Sequence, residues 1–160
     1  MCGIKLLCVG KLRERYYQEA MAEYTKRLGA FCHFQVEELP EQRVSERPSV
    51  SELSAALAQE ADALEKRIPA GAVVVAFCVE GSLLSSEDLA EHIGRWTNEG
   101  KSSLCFLIGG SNGLSEELKR AAQLRLSVSR MTFPHHLFRV MAAEQLYRAF
   151  TILEGMRYHK

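Results

Sequence analysis

The chain has no excess of either charge and no apolar run long enough to cross a membrane. Its 20 Lys and Arg residues balance 20 Asp and Glu residues, so bulk charge gives it no general attraction to nucleic acid, and RNA binding would need a local patch. A membrane span needs roughly 18 consecutive apolar residues, and neither such a run nor a signal-peptide pattern occurs. These absences predict a cytoplasmic protein with no membrane-spanning segment.

Paired cysteine motifs are also missing. The five cysteines contain no Cys-x-x-Cys pair, their number is odd, and most lie within apolar runs. Buried reduced thiols explain this pattern best, and a disulfide or metal role is the alternative. The positions are Cys2, Cys8, Cys32, Cys78 and Cys105.

The composition predicts one globular domain over residues 1–160. Hydrophobic residues make up 47% and charged residues 25% of the chain, which is ordinary for a globular domain and excludes disordered and collagen-like chains. A length of 160 residues is enough for a hydrophobic core that needs neither disulfides nor metals. No internal repeat or low-complexity segment divides the chain.

Strand and helix patterns alternate along the chain. Apolar runs predict buried strands at residues 4–9, 72–79 and 104–108, and a shorter strand at 34–39. Apolar residues at helical spacing predict helices at 13–28, 85–100 and 137–153. A further helix is predicted to begin at a cap, either Ser49 or Ser51, and to end near Pro69, and another to begin at 115. This alternation predicts an α/β fold with a mostly parallel sheet, in which ligand sites lie at the carboxyl ends of the strands. Those ends fall at Gly10, Glu80, Gly81, Gly109 and Gly110.

A glycine cluster follows the strand at 104–108. Gly109, Gly110 and Gly113 stand between that strand and a helix that opens at Ser115, where glycines let the backbone approach a ligand closely. The spacing is neither Gly-x-Gly-x-x-Gly nor a Walker loop. A tight turn and a binding loop for a nucleotide-like ligand both fit the cluster.

Two polar loops are further candidates. Residues 41–49 carry Arg43 and Arg47 and no hydrophobic repeat, so they predict either a mobile solvated linker or a segment whose arginines contact phosphate. Residues 127–134 are polar and β-branched and end at a proline, and their backbone could face an adenine edge. We interpret His135 and His136 as capping or exposed residues and assign no metal, because no third ligand stands at metal spacing.

The long helix at 137–153 is apolar on nearly every side. Such a helix must be covered on more than one face, which predicts packing on the sheet and against a two-fold partner. Within it, Glu144 and Arg148 fit a surface pair, whereas Arg139 is the better candidate for a functional cation. The tail at 157–160 would by itself be expected to fray.

Four ordered segments together resemble a known family. They read Phe-Leu-Ile-Gly-Gly-Ser-Asn-Gly-Leu, Leu-Ser-Val-Ser-Arg-Met-Thr-Phe-Pro-His, Arg-Val-Met-Ala-Ala-Glu-Gln-Leu-Tyr-Arg-Ala-Phe and Tyr-His-Lys. With Val9-Gly10-Lys11 and Glu80-Gly81, they are similar to the ribosomal RNA large-subunit methyltransferases of the SPOUT superfamily that modify N3 of a pseudouridine. The resemblance covers essentially the full length of the chain.

The resemblance implies a SPOUT-type α/β fold with a C-terminal trefoil knot, a homodimer, and S-adenosylmethionine as methyl donor with no metal. The implied substrate is a pseudouridine of 23S ribosomal RNA, presented on the assembled ribosome. The implied donor-binding residues lie in three loops: Cys78, Glu80 and Gly81; Gly109 and Gly110; and Ser129, Arg130, Met131, Thr132, Phe133 and Pro134.

Three further residues form a catalytic hypothesis. Tyr158 and His159 are expected to fold over the donor site and position the base, and His159 is the only tail residue able to accept a proton near neutral pH. Arg139 is expected to orient the substrate or polarise a carbonyl. Two alternatives stay open: a dimeric ribosome-binding module without catalysis, and a SPOUT methyltransferase that acts on transfer RNA or another ribosomal RNA site.

Overall fold

The chain folds around a five-stranded parallel sheet with helices on both faces. The computed structural model describes all residues 1–160. Its elements are β1 Gly3–Val9, α1 Arg15–Leu28, β2 His33–Leu39, α2 Val50–Glu65, β3 Val73–Leu83, α3 Ser86–Asn98, β4 Ser103–Ile108, α4 Glu116–Ala121, β5 Leu124–Ser127 and α5 His135–Leu153. The strand order is β2-β1-β4-β3-β5, and every neighbouring pair is parallel. The predicted α/β class is confirmed.

Alternate residues of the strands feed two separate cores. One core joins Leu6, Val75 and Phe106 to helices α1, α3 and α5, and the other joins Leu7 and Leu107 to α2 and α4. Because successive side chains of a strand point to opposite faces, the central strands β1 and β4 are apolar at almost every position and are buried on both sides. This is why their sequences read as continuous hydrophobic runs.

Serine side chains fix the starts of three helices. Ser49 accepts a hydrogen bond from the backbone N–H of Glu52 at 3.0 Å, which decides between the two predicted caps of α2. Ser85 and Asp88 form a reciprocal capping box on α3, with both bonds at 3.0 Å. On α4 the Ser115 side chain alone provides the cap, because it accepts the Leu118 N–H at 3.2 Å. Each cap satisfies a backbone donor that the first turn of a helix leaves free.

The region after Val79 differs from the prediction. Glu80 and Gly81 were expected to end the third strand, but β3 continues to Leu83 through a bulge and pairs with β5 on both sides of that bulge. A Cβ on Gly81 would lie 2.8 Å from the backbone of Arg125 in β5, so only glycine allows the two strands to approach this closely. The sequence analysis missed β5, because four residues are too few to show a period.

Helix α5 lies between α1 and α3 on one face of the sheet. Ala142, Ala143 and Leu146 are fully buried against the sheet, while Leu153, at the last turn, is 43% exposed. Helices α1 and α3 therefore cover part of the apolar surface of α5 that the sequence analysis assigned to a two-fold partner. The homodimer stays a prediction. No helix of the chain has the length and apolar character that crossing a membrane requires.

Candidate functional site

A cavity of about 620 Å³ opens where β3, β4 and β5 end. Three chain segments form it: the end of β3, the glycine loop after β4, and the loop between β5 and α5. It is lined by Phe77, Cys78, Val79, Glu80, Ile108, Gly109, Gly110, Ser111, Asn112, Gly113, Leu114, Lys119, Leu126, Ser127, Val128, Ser129, Met131, Thr132, Phe133, Pro134, His135 and Phe138. The cavity lies at the carboxyl edge of a parallel sheet, where ligands of such folds bind.

The glycine loop is folded tightly on itself. Gly113 has a positive φ of 76°, and its N–H donates to the Gly110 carbonyl at 3.1 Å. A Cβ on Gly109 would overlap the backbone of Gly113, and a Cβ on Gly110 would lie 2.5 Å from a carboxylate oxygen of Glu41. The tight turn is confirmed and forms one wall of the cavity. The binding of a ligand by this loop stays a prediction.

Glu41 ties the loop at 41–49 to the glycine loop. Its Oε1 accepts the backbone N–H of Ser111 at 2.7 Å, and the next residue, Gln42, donates its N–H to Glu60 at 2.8 Å. Further along, Glu52 accepts from the N–H and hydroxyl of Ser45. The start of this segment is thus anchored beside the cavity by carboxylates.

A buried lysine with two carboxylate partners lies at the cavity wall. The side chain of Lys119 is 10% exposed and forms ion pairs with Glu80, from the end of β3, and with Glu116 on its own helix. Burial alone would lower the pKa of Lys119, but hydrogen bonds to Glu116 and Glu80 outweigh it and the pKa is raised. The hydrogen bond from Lys119 lowers the pKa of Glu80. The cation and both carboxylates are therefore charged at neutral pH.

Nine of the eleven predicted donor-binding residues line the cavity. They are Cys78, Glu80, Gly109, Gly110, Ser129, Met131, Thr132, Phe133 and Pro134. Gly81 and Arg130 do not line it, and Gly81 packs against β5 instead. Lys119 is the polar residue that the sequence analysis missed; its position three residues after Glu116, on the helix behind the glycine loop, was an available signal.

Aromatic and aliphatic side chains form the floor of the cavity. The rings of Phe77 and Phe138 meet edge to face with centroids 5.1 Å apart. Above them, the loop before α5 is shaped by two serines, because Ser127 donates its hydroxyl to the Ser129 carbonyl and Ser129 accepts the Met131 N–H. The cavity therefore has an apolar floor, and the backbone of the loop before α5 forms part of its rim.

The two histidines at the start of α5 are partly buried, and neither caps the helix with its side chain. His135 lines the cavity, and its pKa is lowered by burial and by the neighbouring His136. His136 lies 3.0 Å from a Glu14 carboxylate oxygen. No group of three or more His, Cys, Asp or Glu side chains is arranged to hold a metal ion.

Arg139 is buried beneath the site and does not line it. The residue is 1% exposed, its Nη1 donates to Glu38 at 2.5 Å, and its Nη2 donates to the Gly10 carbonyl at 2.9 Å. It therefore fastens the first turn of α5 to the carboxyl ends of β1 and β2. In this conformation the guanidinium is engaged by Glu38 and Gly10, and the expected role of Arg139 in orienting the substrate or polarising a carbonyl stays a prediction.

The C-terminal tail is docked, contrary to the fraying expected from its position alone. The Tyr158 hydroxyl donates to Glu144 at 3.1 Å, and burial and hydrogen bonding raise the pKa of Tyr158 to about 12. His159 accepts from Arg148 through Nδ1 at 3.2 Å and contacts Glu87 through Nε2 at 2.7 Å. Neither tail residue lines the cavity of its own chain.

A second cavity of about 570 Å³ lies on the tail side of α5. Glu144, which binds Tyr158, and its neighbour Gln145 line this second cavity. The two cavities share the wall formed by Phe77, Leu126, Ser127 and Val128. Tyr158 thus contacts a residue that lines the second cavity and not the first.

Comparisons with known proteins agree with this geometry. The family model described as "Predicted SPOUT methyltransferase" matches residues 2–159. Two relatives are named "Ribosomal RNA large subunit methyltransferase H". The protein from Limosilactobacillus reuteri is 41% identical over 99% of this chain and 99% of its own length. The protein from Caldicellulosiruptor saccharolyticus is 43% identical over 98% of this chain and 99% of its own length.

Solved structures agree on the fold. A probable methyltransferase from Bordetella pertussis superposes with a TM-score of 0.61 at 13% identity, over 92% of this chain and 94% of that one. A probable methylase family protein from Haemophilus influenzae gives 0.60 at 13% identity, over 98% and 70%. The family match over nearly the whole chain, together with full-length relatives above 40% identity, shows that this chain belongs to the SPOUT methyltransferase family.

Proposed function

We propose that the chain is an S-adenosylmethionine-dependent methyltransferase that modifies N3 of a pseudouridine in the 23S ribosomal RNA of the assembled ribosome. The names of the full-length relatives support the large-subunit RNA as target. The observation that carries the proposal is the cavity, because the three loops that the family resemblance implies for the donor converge on it.

The residues present fit such a donor. A volume of about 620 Å³ is within the roughly 300–1,000 Å³ of small-molecule sites. The apolar floor around Phe77 and Phe138 suits a purine ring, and the backbone rims at Gly109 and at Ser129–Pro134 offer N–H and carbonyl groups to its polar edge. The carboxylate of Glu80, held in its charged form by Lys119, suits the hydroxyl or ammonium groups of the donor.

When bound, the donor supplies an activated methyl group, so the protein's task is alignment and removal of one proton. The glycine loop and the loop before α5 would hold the donor by backbone contacts and would keep water away from the apolar part of the cavity. Arg139 fastens the start of α5, which carries His135, to the carboxyl ends of β1 and β2. We assign Arg139 a positioning role on this ground.

We further propose that Tyr158 and His159 position the acceptor base. In the docked tail, Arg148 donates to Nδ1 of His159 while Nε2 contacts Glu87, so the ring is held by two charged partners. Release of either contact would free a nitrogen for the base. The Tyr158 phenol remains protonated at neutral pH, so it acts as a hydrogen-bond donor and not as the base.

The homodimer and the trefoil knot belong to the same proposal. Leu153 in the last turn of α5 and Met156 just after the helix are 43% and 47% exposed, which supports a partner surface there. A partner would also explain how the tail reaches a donor site, since neither Tyr158 nor His159 lines the cavity of its own chain.

Titration calorimetry with S-adenosylmethionine, followed by transfer of its tritiated methyl group to ribosomes, tests the proposal. We expect binding, and label in the large subunit of assembled ribosomes. Binding without transfer would support a non-catalytic ribosome-binding module, and label in transfer RNA would move the activity to another substrate. His159→Ala should slow single-turnover transfer without changing the affinity for the donor; an unchanged rate would remove His159 from the mechanism.

A further inference from the structure

We propose that four cations beside the cavity bind the phosphate backbone of the substrate RNA. We call this surface the basic arc, and it consists of Lys11, Arg13, Arg43 and Arg47, with the exposed ring of Tyr16 at its end. The inference rests on the proposed function, since it assigns the surface that would bring RNA to that site.

The first half of the arc is pinned to the carboxyl edge of the sheet. The N–H of Leu12 donates to Glu38 at 2.6 Å, and the carbonyl of Leu12 accepts from Gln18 at 2.9 Å. Leu12 is buried, whereas Lys11 and Arg13 on either side of it are exposed. The pinned backbone therefore presents two cations to solvent at fixed positions.

The second half is anchored at the cavity itself. Glu41 holds the N–H of Ser111, which lines the cavity, and Arg43 follows two residues later and is exposed. Arg47 is exposed further along the same loop. Because β1 and β2 are parallel neighbours, the segments that follow them lie at the same edge.

Charges are segregated across this edge. Three nearby carboxylates are engaged by other groups: Glu14 with His136, Glu38 with Arg139, and Glu41 with a backbone N–H. Glu46, between Arg43 and Arg47, is exposed and forms no ion pair, so four free cations stand beside one free carboxylate. None of the four cations of the basic arc forms an ion pair. A neutral protein thus presents free positive charge at the edge where its cavity opens, which is the local patch that phosphate binding needs.

Tyr16 distinguishes RNA from other anions. Its side chain is 64% exposed and its ring is braced edge to face on Tyr17, with centroids 4.4 Å apart. An exposed, braced aromatic ring among cations is the arrangement on which unpaired bases stack. An acidic protein surface would interact with the four cations but would gain nothing from stacking on the Tyr16 ring, whereas RNA would use both.

The test is ribosome binding as a function of salt. The variant Lys11→Ala/Arg13→Ala/Arg43→Ala/Arg47→Ala is compared with wild type by co-sedimentation with purified ribosomes over a series of KCl concentrations. Each phosphate contact contributes about 0.7–0.9 to the slope of log affinity against log salt. We expect the slope to fall by about 3 in the variant, and calorimetry should give an unchanged affinity for S-adenosylmethionine.

The matched control removes two unpaired cations at the opposite edge of the sheet, Lys26 and Lys101, both exposed. Lys26→Ala/Lys101→Ala should bind ribosomes like wild type. An unchanged slope in the four-alanine variant would overturn the proposal, and weaker binding with an unchanged slope would assign the surface to a ribosomal protein instead. Ribosome binding that depends on the basic arc but gives no methyl transfer would refute the proposed function alone.

Discussion

The buried pair between Arg139 and Glu38 gives the sharpest test of how the site is held. Glu38→Gln keeps the shape of the side chain and one acceptor for the Leu12 N–H, but it removes the negative charge beside a guanidinium that is 1% exposed. Leu12 and Arg139 both donate to Oε2 of Glu38, so the retained amide oxygen can still accept from both, but the guanidinium would have no negatively charged partner. Breaking a buried pair by removing one charge costs about 3–5 kcal/mol, and because the Glu38 side chain is 36% exposed we expect about 3 kcal/mol.

For a domain of this size, that loss lowers Tm by about 6 to 12 °C. Urea unfolding measures the lost free energy of unfolding, and the protein concentration is kept fixed because an oligomer's stability depends on concentration. Glu38→Gln/Arg139→Met is the control: with no buried charge left, it should regain part of the lost stability. A loss below about 1 kcal/mol in the single variant, with methyl transfer nonetheless impaired, would refute the positioning role of Arg139 and favour direct contact with substrate.

Three further predictions concern the cavity and the tail. Gly109→Ala should abolish donor binding in calorimetry, because its Cβ overlaps the backbone of Gly113; normal affinity would show that the glycine loop is not part of the donor site. Glu41→Ala should weaken donor binding by about tenfold, because it loses one charge-assisted hydrogen bond of roughly 1.5 kcal/mol. Glu41→Gln should retain most of the affinity, and equal losses in the two variants would contradict a role for the hydrogen bond between Glu41 and the Ser111 N–H. Tyr158→Phe should be less stable than wild type in urea below about pH 10, because the pKa of Tyr158 is raised in the folded state. That stability difference should disappear as the pH rises towards about 12, and a pH-independent difference would contradict the bond to Glu144.

Much of the fold could be predicted from the sequence because its signals are local. The runs around Leu6 and Phe106 read as buried strands since both of their faces are covered. Ser85 was recognisable as a cap from the acids that follow it. Strand β5 was missed because its four residues, Leu124–Ser127, gain their structure from pairing with β3 and not from their own pattern.

The three loops around the cavity could be predicted from the sequence. The features that could not be predicted depend on contacts between residues that are far apart in the chain. The role of Arg139 depends on Glu38, which lies 101 residues away, and the docking of His159 depends on Glu87, 72 residues away. No spacing rule connects such pairs. The burial of Lys119 likewise follows from the path of β3 past Glu80, which only the folded chain reveals.

The most direct test of the central claim is mass spectrometry of nucleosides after reaction with a deuterated methyl donor. Ribosomes from a strain lacking this protein would be incubated with the purified chain and the labelled donor, and the large-subunit RNA digested. We expect a single labelled nucleoside, N3-methylpseudouridine, and none when Gly109→Ala replaces the wild type. Label on any other nucleoside, or no label with donor binding intact, would contradict it.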